Sequence, residues 1–473
     1  MGREERRYIH AHQKQLPYAF TPDMLIGKVR EITASLTDHR NGNNARYTIP
    51  DIFLSALSVF FMQCPSFLSY QESMERKYAM NNARNLFGIG KIPSDPQIRN
   101  VLDAFSPSVV FPVFEWCFDQ LVKSGGITTF KSDLGYLLAL DGTQNFSSDT
   151  IHCKDCLTKT DKKTGKITYY HTAVTPVLVK PGEEHVLSLA PEFIIPQDGS
   201  EKQDCEINAS KRLLLSHREQ VLKGMEVTYL GDDLYAHEPF CREVLTTGHS
   251  FIFVCKPESH KTVYAWVKGM TTEKVTDRFD GKSHQIYTYA YMENVPLRDS
   301  TKKDEKPFLV NFVEITVKNR QSGKQVYHNA FVTNHPLQRE KEEETVRMLG
   351  VIVDSGRARW KIENENNNTL KTRGYYFEHN YGHGKQYLSS LLMSLILIAF
   401  LFHTLLDMTN LGYQQIRNLI GSRVRFFNDL KTLTIYSCYR SFDHLFSWMY
   451  EAVTKGQQQP NHTLSPPLMY TSA

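Results

Sequence analysis

The chain has 473 residues, of which 41% are apolar and 22% charged, with a formal net charge of +4. This is the profile of an ordinary globular protein with room for about two to four domains, and it excludes collagen-like, low-complexity and disulfide-stapled classes. A charge of +4 over this length does not by itself identify a nucleic-acid binder, so any such function must rest on local clustering.

The start, MGREERRYIHAHQKQ, carries Arg3, Arg6 and Arg7 and no apolar leader. Eight cysteines, at 64, 117, 153, 156, 205, 241, 255 and 438, are scattered through the rest, which favours a reducing, cytoplasmic setting. Residues from about 20 to 125 show helical spacing with stops at Pro50, Pro65 and Pro93, giving an all-helical N-terminal domain over 1–130. Its cations, among them Arg76, Lys77 and Arg84, are interspersed with acids, and the apolar run from Ile52 to Cys64 is too short to cross a bilayer.

From Gly135 the texture changes. GYLLALDG, YYHTAVTPVLV, HVLSL and EVTYLGDD read as strands, and QDCEINASKRLLLSHREQVLKG between them has helical periodicity, so a mixed α/β core begins over 131–256. After HSFIFVCKP the pattern is β-rich over 257–337. KTVYAWVKG, HQIYTYAYM, PFLVNFVEITVKN and QVYHNAFVTN are separated by turns such as Asp280-Gly281 and Ser322-Gly323, as in a strand-built insertion.

Helix returns near Gln338 and, broken by a loop from Gly374 to Gly384, runs to about Met408, so 338–410 resumes the core. No charged side chain occurs from Gln386 to Leu406. Its serines, His403 and Thr404 favour a buried core helix over a membrane span. Residues 411–473 form a helical C-terminal region whose polar, Pro-rich tail from Gln457 reads as disordered.

Three acids share a context. Asp141 ends YLLALDG, Asp232 ends VTYLGDD, and Glu363 lies on a helix reading RARWKIENE. Acids at strand ends project where a substrate can reach them, and a helix packed on the sheet can add a third. A sparse carboxylate set suits magnesium or manganese, and two such ions about 4 Å apart suit phosphodiester chemistry. Around Glu363 and Glu365 stand Arg357, Arg359, Lys361, Lys371 and Arg373, a basic frame suited to phosphate. Asp141-Gly142 alone is more often a turn than a ligand. Asp233 follows Asp232 but faces the other way from a strand, and Glu365 is roughly 200° around a helix from Glu363, so the apolar approach TYLG and the run WKIE favour Asp232 and Glu363.

ALDGT at Asp141, YLGDDLY at Asp232 and RWKIENE followed by Lys371 resemble the insertion-sequence transposases with a DDE triad, of the group with a Tyr-Arg-Glu-Lys signature. The resemblance covers about Asp51 to Met408, and 91 and 131 residues separate the three acids, the second gap leaving room for an inserted subdomain. It implies a ribonuclease H-like core interrupted by the β-rich insertion, with a DNA-binding N-terminal domain. It also implies two magnesium or manganese ions held by Asp141, Asp232 and Glu363. Water would attack at a transposon end, and the freed 3′-hydroxyl would attack target DNA with no covalent protein intermediate. Arg359 and Lys371, supported by Arg357, Lys361 and Arg373, would hold phosphate, and Trp266 in the insertion would stack on a flipped base. The partners implied are double-stranded DNA, as terminal inverted repeats and target, and a second copy of the chain, with no membrane. Two positions depart from the group: Gly356 stands where it has tyrosine, and Lys371 falls one residue late.

Smaller signals compete. His152, Cys153 and Cys156 in IHCKDC have zinc-like spacing, with His171 and Cys205 as distant partners, although a second CxxC is absent. His379 and His383 in HNYGHG lack the intervening glutamate of zinc hydrolases and read as structural or DNA-contacting loop residues. The alternatives to a transposase are a metal-dependent nuclease without strand transfer and a domesticated copy that only binds DNA.

Overall fold

The computed structural model describes residues 19–40, 46–74, 77–196, 204–219, 221–279, 283–298, 306–379 and 381–458. Arg3, Arg6, Arg7 and Arg76, the Asp280-Gly281 turn and the tail beyond residue 458 lie outside them.

Six helices come first: α1 (Pro22–Ala34), α2 (Ile49–Phe61), α3 (Phe67–Met74), α4 (Lys77–Phe87), α5 (Asp95–Leu102) and α6 (Phe111–Lys123). Pro50 begins a helix where a stop was expected. It sits in the first turn of α2, where a missing N–H costs nothing, and the Thr48 side chain caps that turn by accepting from the Asp51 N–H.

Next come β1 (Lys131–Ser132), β2 (Gly135–Ser148), β3 (Leu157–Thr160), β4 (Ile167–Val179), β5 (Leu187–Ser188), β6 (Glu192–Ile194), α7 (Glu206–Glu219), β7 (Val227–Gly231), α8 (Glu238–Thr246) and β8 (Ser250–Val254). They are followed by α9 (Lys261–Val267), β9 (Thr272–Phe279), β10 (His284–Pro296), β11 (Leu309–Asn319) and β12 (Gln325–Thr333). One mixed sheet of 12 strands runs β3-β4-β2-β7-β8-β12-β11-β10-β9, with β1 on β2 and with β5 and β6 on β4. β2 and β4 are antiparallel, while β2, β7 and β8 are parallel. Every residue of β7 is buried, as expected of a central parallel strand whose sequence, VTYLG, is a continuous apolar run.

The β-rich stretch builds no separate sheet. β12 pairs antiparallel with β8 and carries the hairpins of β9 to β12 outward from the core sheet. KTVYAWVKG, expected as a strand, is the helix α9, because Val263 and Val267 are buried four residues apart on one face, a packing that overrides the β-propensity of its residues.

The chain then forms α10 (Glu342–Arg357), a π-helical stretch at Ile362–Asn367, α11 (Asn368–Thr372), α12 (Leu388–Thr409), α13 (Leu411–Ile420), α14 (Arg423–Tyr436) and α15 (Phe442–Gln458). The apolar segment expected as a core helix is α12. It is long and apolar enough to cross a membrane by composition, yet that apolar stretch is buried by protein. The N-terminal helices join the C-terminal ones: the Phe20 N–H donates to Thr409 Oγ1 (2.9 Å), and Asn82 Nδ2 donates to the carbonyls of Thr434 and Ser437 (2.6 Å each).

Candidate active site

Strand register brings the first two acids together. β2 and β7 pair in parallel from Tyr136↔Val227 to Ala139↔Leu230. Asp141 and Asp232 each lie two residues beyond the last pair of that register, Asp232 just past the end of β7, and their charges interact. Asp141 does not end its strand: β2 continues to Ser148, paired with β4 through Asp141↔Thr175. It stands instead where the pairing with β7 stops, which opens the sheet on that side. Asp233 is turned away, its Oδ1 accepting the Lys256 N–H (2.6 Å) and lying 3.2 Å from His260 Nε2.

Glu363 arrives on the π-helical stretch, and such widened turns recur where a helix must place side chains for a site. Arg359, Glu363 and Asn367 are spaced by four and form one column. The Arg359 guanidinium, only 8% exposed, pairs with Glu363 (Nη1 to Oε1, 2.7 Å), and Asn367 Nδ2 donates to Asp141 Oδ2 (3.0 Å). Buried Asn366 anchors the stretch by accepting from Ser188 Oγ (2.7 Å). Glu365 points elsewhere: it pairs with Lys361 (3.8 Å) and lines a separate cavity of about 430 Å³ with Arg373, Asp407, Arg417 and Arg423.

A fourth carboxylate, missed in the sequence, completes the cluster. Glu206, the first residue of α7, accepts from the Gly142 N–H (3.2 Å) and from the Tyr235 hydroxyl (2.7 Å). A Cβ at position 142 would come within 2.4 Å of Glu206 Oε2, so any other residue there would make this carboxylate shift. Its one sequence signal is an acid in a helix's first turn, a common feature with its own explanation in the helix dipole.

The cluster carries more negative charge than its surroundings neutralise. Burial pushes the Asp141 carboxyl up to about 7, and the charges of Glu206, Glu363 and Asp232 reinforce the shift while Arg359 opposes it. Burial also raises Glu206, with Asp232 adding to the rise. Two carboxylates about 5 Å apart in an effective dielectric of about 20 repel by about 3 kcal/mol. One guanidinium offsets one such charge among four. Asp141, Asp232, Glu363 and Glu206 offer oxygen donors of the kind hard divalent cations take, but among the described residues the only group of three or more His, Cys, Asp or Glu ligands already close enough to share one ion is Cys153, Cys156, His171 and His383.

The expected phosphate contacts are mostly engaged within the chain. Lys371 pairs with Glu378 (2.8 Å), and Arg357 stacks over the Tyr327 ring (4.3 Å) beside Trp360, which is 53% exposed. Buried Arg359 Nε finds no hydrogen-bond partner among the described residues. Trp266 is 46% exposed on α9. Gly356 stands where the resembled group has tyrosine because α10 lies flat on the sheet there: a Cβ would meet Phe331 Cε1 at 2.7 Å and Ile252 Cγ2 at 3.1 Å.

Of the partners expected for the thiols of IHCKDC, His171 is taken, while Cys205 and His152 are not. Cys205 is exposed and outside their cluster, and His152 is exposed and stacked on Tyr169. Cys153 and Cys156 meet His171 and His383, so His383 belongs to a buried side-chain cluster rather than a bare loop. His379 remains exposed, edge-on to Tyr381. No known protein-family model matches the chain, and a search of curated proteins returns no match.

Proposed function

We propose that the chain is a DNA transposase that cleaves strands at transposon ends and joins them to target DNA in a cut-and-paste manner. The observation that carries this reading is the electrostatic coupling of Asp141 to Asp232, Glu363 and Glu206, with Asp141 and Asp232 each two residues beyond the paired part of β2 and β7. The mixed sheet, antiparallel through β4 and β2 and parallel through β7 and β8, is compatible with the ribonuclease H-like core that the resemblance implies.

In this reading Asp141, Asp232 and Glu363 hold two magnesium or manganese ions, with Glu206 beside them. The cations supply charge neutralisation on the phosphate and a more acidic bound water. Arg359 holds Glu363 in place and offers its buried Nε to a phosphate oxygen. Arg357, Lys361, Lys371 and Arg373 form the surrounding positive field, and exposed Trp266 is offered for stacking on a flipped base. Two ends must be cut together, so the working unit is at least a dimer on DNA, and the setting is the cytoplasm.

The test is a strand-transfer assay with a pre-cleaved duplex ending in the inverted repeat that flanks the coding region. Joined product in magnesium supports the reading. Cutting without joining identifies a plain nuclease, and binding without either identifies a DNA-binding copy; both outcomes overturn it.

A further inference from the structure

A second cluster lies apart from the carboxylates. Cys153 and Cys156 stand in the connection between β2 and β3, His171 is on β4, and His383 comes from the stretch between α11 and α12. Their ligand atoms all lie within 4.8 Å of one another, with Cys153 half-buried and the other three buried. The separations are 3.8 Å between the sulfurs, 3.1 Å between the two Nε2 atoms, and 3.4 Å for Cys153 to His171, Cys156 to His171 and Cys156 to His383.

A tetrahedral zinc ion, about 2.3 Å from sulfur and about 2.0–2.1 Å from nitrogen, sets edges of about 3.8 Å (S–S), 3.6 Å (S–N) and 3.3 Å (N–N). The observed edges agree to about 0.2 Å, the tolerance expected of a metal site. A disulfide would need sulfurs about 2.05 Å apart. The surroundings match a metal site as well: His383 Nδ1 is 2.8 Å from the Gly384 carbonyl, the contact that orients a ligating imidazole. The Cys153 N–H also points at Cys156 Sγ (3.4 Å), and Phe146 covers both imidazoles.

We propose that Cys153, Cys156, His171 and His383 bind one structural zinc ion, which clamps the segment following Glu363 onto the β2–β4 hairpin that carries Asp141. Binding displaces a proton from each thiol, leaving Zn²⁺, two thiolates and two neutral imidazoles with no net charge. Four protein ligands complete the tetrahedron and leave no open position, so the ion braces the fold and does not touch substrate. The soft sulfur and nitrogen donors separate this site from the oxygen-only cluster, and the inference does not rest on the proposed DNA chemistry.

The test uses the full chain purified without chelator. Metal analysis should find about one zinc per chain, and cobalt substitution should give tetrahedral d–d bands with thiolate charge transfer. Cys156→Ser should lower zinc to about a tenth of an equivalent or less. His383→Cys, which keeps four ligands, should retain about one equivalent and raise the charge-transfer intensity by about half. Asp141→Asn should leave the zinc content unchanged, which separates this site from the carboxylates. A wild-type chain that holds neither zinc nor cobalt overturns the proposal, as does Cys156→Ser with a full complement of zinc. An unchanged cobalt spectrum in His383→Cys removes His383 from the ligand set.

Discussion

The same hairpin, β2 with β4, carries two polar clusters built on opposite principles. At Asp141, burial and the charges of Glu206, Glu363 and Asp232 push the carboxyl up to about 7, with Arg359 opposing them. At His171 two thiols and two imidazoles converge on a space the size of one ion. The first is a set of carboxylates whose charges repel one another in a partly buried setting. The second is a closed set of soft donors that a single ion would satisfy completely. Open carboxylate sets suit exchangeable ions and substrate, whereas closed Cys/His sets suit permanent bracing.

Neutralising one acid should separate the two clusters most sharply. Asp141→Asn is expected to reduce metal-dependent DNA cleavage by about three orders of magnitude or more, as removal of a central catalytic group commonly does. The same substitution should hold or raise the melting temperature, because it removes a buried like-charge repulsion and keeps a partner for Asn367. A cleavage assay and a thermal melt on one preparation check both; loss of stability together with activity would make Asp141 a structural residue.

At the other cluster the balance should reverse. His171→Ala is expected to cost about 3 kcal/mol or more, since binding energy of a structural ion is folding energy. Denaturant unfolding with and without added zinc measures this, and an equal midpoint in both would contradict it.

A third, half-buried group gives a reference for ordinary electrostatics. His185 lies between Glu183 (2.8 Å) and Asp407 (3.4 Å), and these partners raise it to about 9 against the desolvation that opposes them. The folded value lies above the unfolded value of about 6.5, so its contribution is complete below about pH 6.5 and is lost as pH rises through about 9. Stability should fall by about 2–3 kcal/mol across that window, and His185→Gln should flatten the profile.

The smallest effect is expected at Gly142. An added Cβ would crowd Glu206, so Gly142→Ala should cost about 1–2 kcal/mol and weaken divalent binding while leaving zinc untouched. Differential scanning fluorimetry with and without manganese reads both effects.

How much of this was legible in the sequence depended on whether a signal was local. Asp141 and Asp232 announced themselves because each closes an apolar run, whereas the parallel pairing of β2 with β7 is a long-range feature with no local signal. Asp233 and Glu365 separated from their neighbours by simple periodicity, and their observed partners, Lys256 with His260 and Lys361, lie on the expected other side. Glu206 was hidden because an acid opening a helix needs no further explanation. His383 was hidden because its partner Cys156 lies 227 residues away and the glycines around it read as loop. Trp266 was misplaced because aromatic and β-branched residues favour strands until two buried valines four apart decide for a helix. Gly356, a departure at the level of motif, turned out to be a packing requirement of α10 against Phe331.

In the proposed function, acids distant along the chain bind hard divalent cations together. Manganese binding, followed by electron paramagnetic resonance on the full-length protein, tests it most directly. Wild type and the His383→Cys variant should bind manganese alike, and Asp141→Asn and Asp232→Asn should each weaken binding by about tenfold or more. Equal manganese uptake by wild type and both aspartate variants would contradict the account.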